Sequence, residues 1–228
     1  GFLNSSWFIF YNNDLLNFLS KGGCPLTNHY YSKNPSIESN PKYWDYTLRG
    51  KLFRFKTDNG VFSKKEVDFG SRLLIEAFSY PEGIEGDILD VGCGYGPVGL
   101  SVAYAFPRVK VEMVDVNERA VQLAQENAEL NQISNINIHE SNIFSSVENT
   151  SFAAILTNPP IRAGKQVVHE IFERSFEHLR PGGELWVVIQ KKQGAPSAMD
   201  KMENLFGNVD VIVKKKGYFI LMSKKIDS

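Results

Sequence analysis

From Gly86 onward the sequence alternates between short, largely apolar runs and longer amphipathic segments. The runs at 87–91, 111–116, 152–157 and 184–190, with a weaker one at 135–139, have the length and texture of strands buried on both faces. Between them, 97–106, 118–131 and 165–180 space their apolar residues at the helical period, and a further helix is expected near 196–206. Parallel strands need a crossover between them, and a helix is the crossover that also covers the sheet. Two closing strands, 208–214 and 217–223, meet through Gly217. That connection is too short for a crossover, so the last pair must be antiparallel. The pattern therefore predicts an α/β fold: a doubly wound, mostly parallel seven-stranded sheet with an antiparallel edge hairpin.

Ahead of this unit, residues 45–58 alternate as a β-hairpin turning at Arg49-Gly50, and 65–78 read as a helix ended by Pro81 and Gly83. Residues 1–27 share no period with the rest and are read as a leader to a domain at 28–228. The codons of Lys21-Gly22-Gly23 can spell a ribosome-binding site and Leu26 can be a TTG start, so residues 1–25 are expected to be translated upstream sequence. The competing reading is an N-terminal helix using Leu15, Leu16, Phe18 and Leu19. The aromatic run at 7–11 lacks the basic flank and cleavage site of a signal peptide.

Two cysteines in unrelated contexts, Cys24 and Cys93, are no disulfide framework and fit a reducing cytoplasm. The histidines, His29, His139, His169 and His178, show no metal-ligand spacing, so no metal is expected. No run reaches the roughly 18 apolar residues of a membrane span. A net charge of −1 does not by itself advertise a nucleic-acid partner, so such a partner must be argued from the site and from local basic clusters.

The turn after the first strand of the alternating unit carries Gly92, Gly94 and Gly96, where the backbone must bend sharply and admit a ligand without a Cβ in the way. The helix starting near Pro97 aims its N–H groups and positive dipole end at this loop. Asp115 closes the second strand, where a carboxylate accepts hydrogen bonds from both ribose hydroxyls. Gly94-x-Gly96-x-x-Gly99 also matches the dinucleotide fingerprint, so a nicotinamide oxidoreductase competes with S-adenosylmethionine as the reading of this loop. Three features favour S-adenosylmethionine. Asp90 precedes the glycines, where it meets an ammonium group that NAD lacks. The antiparallel terminal hairpin does not suit a second mononucleotide-binding half. The third is Asn158-Pro159-Pro160, about sixty residues downstream. Cys93, inside the cofactor loop, faces the wrong partner for a nucleophile and reads as a small residue fitting the turn.

Asn158 follows an apolar strand at the edge where α/β sheets place ligands, and two prolines fix the backbone beyond it. An exocyclic amino group is a poor nucleophile because its lone pair is delocalised into the ring. Two acceptors, the Asn158 side-chain oxygen and the Pro159 carbonyl, bind its two N–H groups and favour a pyramidal nitrogen. Catalysis would then be positioning and preorganised electrostatics, with no strong base.

The set Asp90-Val91-Gly92-Cys93-Gly94-Tyr95-Gly96, Asp115-Val116-Asn117, Ser141-Asn142 and Asn158-Pro159-Pro160-Ile161-Arg162-Ala163-Gly164-Lys165 resembles the class I methyltransferases. With Gly60-Val61-Phe62-Ser63, Val67-Asp68-Phe69-Gly70-Ser71 and Trp186-Val187-Val188-Ile189-Gln190 it is similar to the ribosomal RNA small-subunit methyltransferase C family across residues 28–225. The resemblance implies a Rossmann-like methyltransferase fold and S-adenosylmethionine as cofactor. It implies that Asp115 with Val116 holds the ribose, Asn142 faces the adenine, and Phe62 and Ser63 line the cofactor and target-base pocket. With Asp90, Gly92, Cys93, Gly94, Gly96 and Asn158 these make up the expected cofactor site; Asn158, Pro159, Pro160 and Ile161 are the expected catalytic loop. It further implies transfer to the exocyclic amino group of a guanine in ribosomal RNA. The family's best-described members add an N-terminal methyltransferase-like domain outside these 228 residues, and their fourth loop position is commonly aromatic where Ile161 stands here. Arg162 and Lys165 beside the loop are the expected phosphate contacts. The lysine clusters 191–192, 214–216 and 224–225 read equally as phosphate contacts or as solubilising charge. Adenine N6 and protein glutamine remain alternative targets, and an oxidoreductase or a silent cofactor-binding module remain alternatives of another kind. The oligomeric state is not legible.

Overall fold

The computed structural model describes residues 40–58 and 66–226; the leader at 1–27 and Phe62 and Ser63 lie outside the described residues. Strands β1 (Lys42–Leu48) and β2 (Lys51–Thr57) form the expected antiparallel hairpin. Arg49 and Gly50 both take positive φ, 49° and 78°, as the tight turn of a right-twisted hairpin demands. β1 begins at Lys42 rather than 45, because the alternation extends back to Trp44, which is buried and donates its indole N–H to Thr57 Oγ1 at 3.2 Å.

Helix α1 (Phe69–Ala77) starts four residues later than the periodicity predicts. Asp68 caps it, accepting the Ser71 N–H at 3.0 Å, and a cap residue has non-helical dihedrals. At its other end Arg49 donates to the carbonyls of Ile75 and Phe78, groups the helix leaves unpaired. There follow β3 (Ile88–Val91), α2 (Pro97–Ala105), β4 (Val111–Asp115), α3 (Glu118–Leu130), β5 (Ile136–Glu140), β6 (Phe152–Thr157), α4 (Lys165–His178), β7 (Leu179–Gln190), α5 (Ala195–Phe206), β8 (Asp210–Lys215) and β9 (Tyr218–Lys224). α4 ends two residues short of 180 because the chain at Gly182 and Gly183 already pairs with Lys225 in the manner of a strand.

The sheet has seven strands in the order β5-β4-β3-β6-β7-β9-β8; β9 alone runs against its neighbours. The order in which strands are added reverses between the parallel neighbours β3 and β6, which opens a crevice at the carboxyl ends of those two strands. Successive residues of each strand serve opposite faces. Ile88, Ala154, Leu156, Trp186, Val188 and Ile220 join the core beneath α1, α2, α3 and the hairpin. Leu89, Val91, Ile155, Leu185, Val187 and Leu221 join the core beneath α4 and α5.

The hairpin docks through two amides one helical turn apart, Asn127 on α3 and Asn131 at its C-cap. Asn127 donates to the Lys56 and Tyr95 carbonyls and accepts the Lys56 N–H; Asn131 donates to the Arg54 carbonyl and accepts the Arg54 N–H. Their spacing of four matches a strand spacing of two, so the side chains act as an added strand on β2 and hold it against the back of the glycine loop at Tyr95. Asn127 is fully buried. Asn127→Ala leaves two carbonyls and one N–H without partners, and is expected to cost about 2 kcal/mol in equilibrium urea unfolding. Unchanged stability would mean that the hairpin is held by its aromatic packing alone.

Candidate active site

The loop joining β3 to α2 is shaped by its own backbone. Gly92 and Cys93 N–H both donate to the Val114 carbonyl at 2.9 Å, and Gly96 N–H donates to the Cys93 carbonyl at 3.0 Å. Gly92, Gly94 and Gly96 all take positive φ, of 76°, 57° and 101°. A Cβ on Gly92, which is exposed, would meet no atom within 4 Å, so the crevice there is open for a ligand to approach the backbone. Gly99 serves packing instead. A Cβ there would lie 2.6 Å from Met113 Sδ, so its absence lets α2 settle against β4. The Cys93 side chain turns inward into the core, and burial holds its thiol well above the usual range, as a protonated small residue.

Asp90 lies almost fully buried beneath this loop and accepts the Gly99 N–H at 2.8 Å, anchoring the first turn of α2. Burial pushes its carboxyl up to about 7, against the pull of the Gly99 bond and with a smaller push from Asp115. An acid whose folded value exceeds its unfolded one binds more protons folded than unfolded. Its contribution is therefore fully present below the ordinary aspartate range near 4 and is lost as pH rises through about 7. Asp90→Asn keeps an acceptor for Gly99 but cannot titrate. Between pH 5 and 8 the melting temperature of the wild type is expected to fall relative to that of the variant; parallel curves would contradict the assignment.

Asp115 closes β4 with both oxygens engaged. Oδ2 accepts the Gly94 N–H and Oδ1 the Asn117 N–H, each at 2.9 Å, so the carboxylate ties the glycine loop to the start of α3. Burial raises its carboxyl, and the bonds from Asn117, Gly94 and Val116 oppose that. Each oxygen retains a second lone pair for a ligand hydroxyl. Val116 follows it, half-buried, and the Ser141 N–H donates to the Asp115 carbonyl at 2.9 Å. That bond sets exposed Asn142 at the neighbouring strand end.

Across the crevice, Asn158 leaves the end of β6, exposed. Its Nδ2 donates to Ser71 Oγ at 3.1 Å and to Asp68 Oδ1 at 3.4 Å. A carboxylate offers only acceptors, so the atom facing Asp68 must be the nitrogen, and the Asn158 amide oxygen is turned away from α1. Asp68 and Ser71, which in sequence stand only inside the expected helix and within the resemblance, thus set the orientation of the central side chain. The signal was a helix cap followed by a hydroxyl, and nothing in its spacing pointed 87 residues onward. Pro159 is buried, and its carbonyl accepts no hydrogen bond among the described residues. The Pro160 carbonyl is taken by the Ala163 N–H at 2.9 Å within the single 3-10 turn Ile161–Ala163. Ile161 packs, half-buried, against the core under α4. Arg162 and Lys165 are exposed on that turn and on the first residue of α4. Among the described residues no cluster of histidine, cysteine or carboxylate side chains is placed to hold a metal, and no helix is long and apolar enough to cross a membrane.

The model of the methyltransferase small domain matches residues 52–222. The chain is 61% identical over 202 residues, 88% of its length and 100% of the relative's, to the uncharacterized protein YbxB of Bacillus subtilis (strain 168). It is 32% identical over 193 residues, 83% of its length, to the ribosomal RNA small subunit methyltransferase C of Vibrio cholerae (O395), of which it covers 54%. Among solved structures, the Thermus thermophilus 16S rRNA N2 G1207 methyltransferase in complex with AdoMet and guanosine superposes with a TM-score of 0.72 at 28% identity. The match covers 84% of this chain and 52% of that one, so the chain spans about half the length of these ribosomal RNA methyltransferases. The seven-stranded order, the glycine loop and the family match agree: the chain belongs to the methyltransferase small-domain family.

Proposed function

We propose that the chain is an S-adenosylmethionine-dependent N-methyltransferase acting on an exocyclic amino group of RNA, namely guanine N2 in small-subunit ribosomal RNA. The observation that carries this reading is the Asn158 amide. Its nitrogen is spent on Asp68 and Ser71, so its oxygen is left as an acceptor next along the chain from the Pro159 carbonyl, which accepts no hydrogen bond among the described residues. Such a pair suits an amino group with two N–H donors. It does not suit a hydroxyl, which has one.

The residues present fit the cofactor. Open space over Gly92 would admit its chain against the backbone, Asp90 beneath the loop would meet its ammonium, Asp115 would offer lone pairs to its ribose, and Asn142 at the neighbouring strand end would face the base. When bound, S-adenosylmethionine supplies an electrophilic methyl group on a sulfonium. Asn158 and Pro159 would hold the target amino group by its two N–H bonds and favour a pyramidal nitrogen whose lone pair is available to the methyl group, the surplus N–H proton passing to solvent after transfer. The prolines keep both acceptors from shifting, so their dipoles are in place before reaction. Asp90 and Asp115 bind rather than react.

The relatives support the substrate class: two kinds of comparison lead to proteins named for methylation of small-subunit ribosomal RNA, one of them solved with guanosine. Ribosomal RNA from cells lacking the gene is expected to lose one N2-methylguanosine and to regain it on incubation with the enzyme and cofactor. Loss of N6-methyladenosine, or methylation of a protein glutamine with RNA untouched, would overturn the target while leaving the amino-group chemistry in place.

A further inference from the structure

The net charge of −1 conceals a local concentration of cations on the reaction edge of the sheet. β8 and β7 run parallel and both end there, and β9 begins there. Register sets Gln190, Tyr218 and Lys215 side by side across three strands, while Thr157, the residue before Asn158, pairs with Val187 on β7. Lys191 and Lys192 therefore emerge beside the turn that carries Lys214, Lys215 and Lys216. The Lys191 N–H donates to the Gly217 carbonyl at 2.8 Å, which joins the two segments. All five lysines are exposed, and none pairs with a carboxylate among the described residues. No acidic residue occurs from 190 to 199 or from 211 to 226. Charge placed only for solubility has no reason to gather on one edge.

The third lysine cluster shows the contrast. Lys224 and Lys225 leave β9 at the opposite edge, and Lys225 Nζ is committed to the Phe176 and Leu179 carbonyls at 2.8 Å each. On the reaction edge Lys214 Nζ lies 5.0 Å from the centre of the Phe219 ring, and Lys216 packs against the helix that supports the reaction loop. Lys216 Nζ lies 5.2 Å from the centre of the Phe69 ring, and the Tyr218 ring lies 5.3 Å from it. Phe69 is the first residue of α1, the helix whose cap orients Asn158.

We propose that the ridge formed by Lys191, Lys192 and Lys214–Lys216 is the track on which the RNA phosphate backbone lies, holding the strand so that the target base reaches Asn158. This rests on the reading of the chain as an RNA methyltransferase. The ridge runs from the end of β7 to the end of β8, two strand spacings or about 10 Å, a span that crosses two or three successive phosphates. Lysines are point charges that follow a backbone without reading sequence. RNA, with regularly repeated charge, fits this row better than an acidic protein surface.

The test measures affinity for unmodified small-subunit ribosomal RNA against salt concentration. It compares the wild type with Lys214→Gln/Lys215→Gln/Lys216→Asn, and with Lys224→Gln as the opposite-edge control. Asparagine at 216 preserves the turn, which needs a positive φ there. Each phosphate contact contributes about 0.7–0.9 to the magnitude of the log–log slope, so the triple variant is expected to lose roughly 2 and to bind about tenfold or more weakly. Its affinity for S-adenosylhomocysteine should stay at the wild-type value, which shows that the fold is intact. Lys224→Gln should match the wild type in slope. A triple variant with wild-type slope and affinity, in a protein that binds and methylates RNA, would overturn the ridge alone. A wild type that neither binds nor methylates RNA would overturn the function reading, and the ridge with it.

Discussion

Asn158→Ala is expected to lower turnover on the order of a hundredfold or more while leaving the affinity for S-adenosylhomocysteine nearly unchanged. In the proposed reading the Asn158 amide oxygen serves the target amino group, and alanine removes the one acceptor fixed by two partners of its own. Ser71→Ala is the graded companion. It leaves the amide held by Asp68 alone at 3.4 Å, so turnover should fall severalfold with cofactor affinity again intact. The pair of results separates contact from positioning. Near-normal turnover in Asn158→Ala would make Asn158 an ordinary loop residue.

Asp115→Ala is expected to weaken cofactor binding by roughly 1.5–3 kcal/mol, about tenfold to a hundredfold, measured by calorimetry. Two losses combine here. The ribose loses its charged acceptor, and the Gly94 and Asn117 N–H groups lose the carboxylate that holds loop and helix together. Asp115→Asn retains one acceptor oxygen, and so should fall between the wild type and alanine. Unchanged affinity in Asp115→Ala would remove the ribose from this carboxylate.

Local pattern was enough to find the elements whose cause is local. Strand–helix alternation, the short link at Gly217 and the Arg49-Gly50 turn all express rules that act over a few residues, and each appears where expected. Boundaries set by tertiary partners were less legible. α1 waits for its cap at Asp68, and β7 reaches back to Leu179 because Lys225 pairs with Gly182 and Gly183. In the site, the glycines and both aspartates could be placed from chemistry, since a tight loop and a buried strand end constrain residue type. The grip of Asp68 and Ser71 on Asn158, and the docking of β2 by Asn127 and Asn131, could not. They join segments some 70 to 90 residues apart through ordinary polar side chains whose spacing carries no signature. The lysine clusters were equally opaque in sequence. Only strand direction separates those on the reaction edge from the pair on the opposite edge.

The proposed role of the Asn158 loop is to present a guanine amino group for methylation. Its most direct test is to incubate the purified chain with unmodified small-subunit ribosomal RNA and S-adenosylmethionine carrying a labelled methyl group, and then to identify the labelled nucleoside. Label is expected in N2-methylguanosine at a single position, abolished by Asn158→Ala. Label in N6-methyladenosine, or none in RNA from a protein that binds the cofactor, would contradict it.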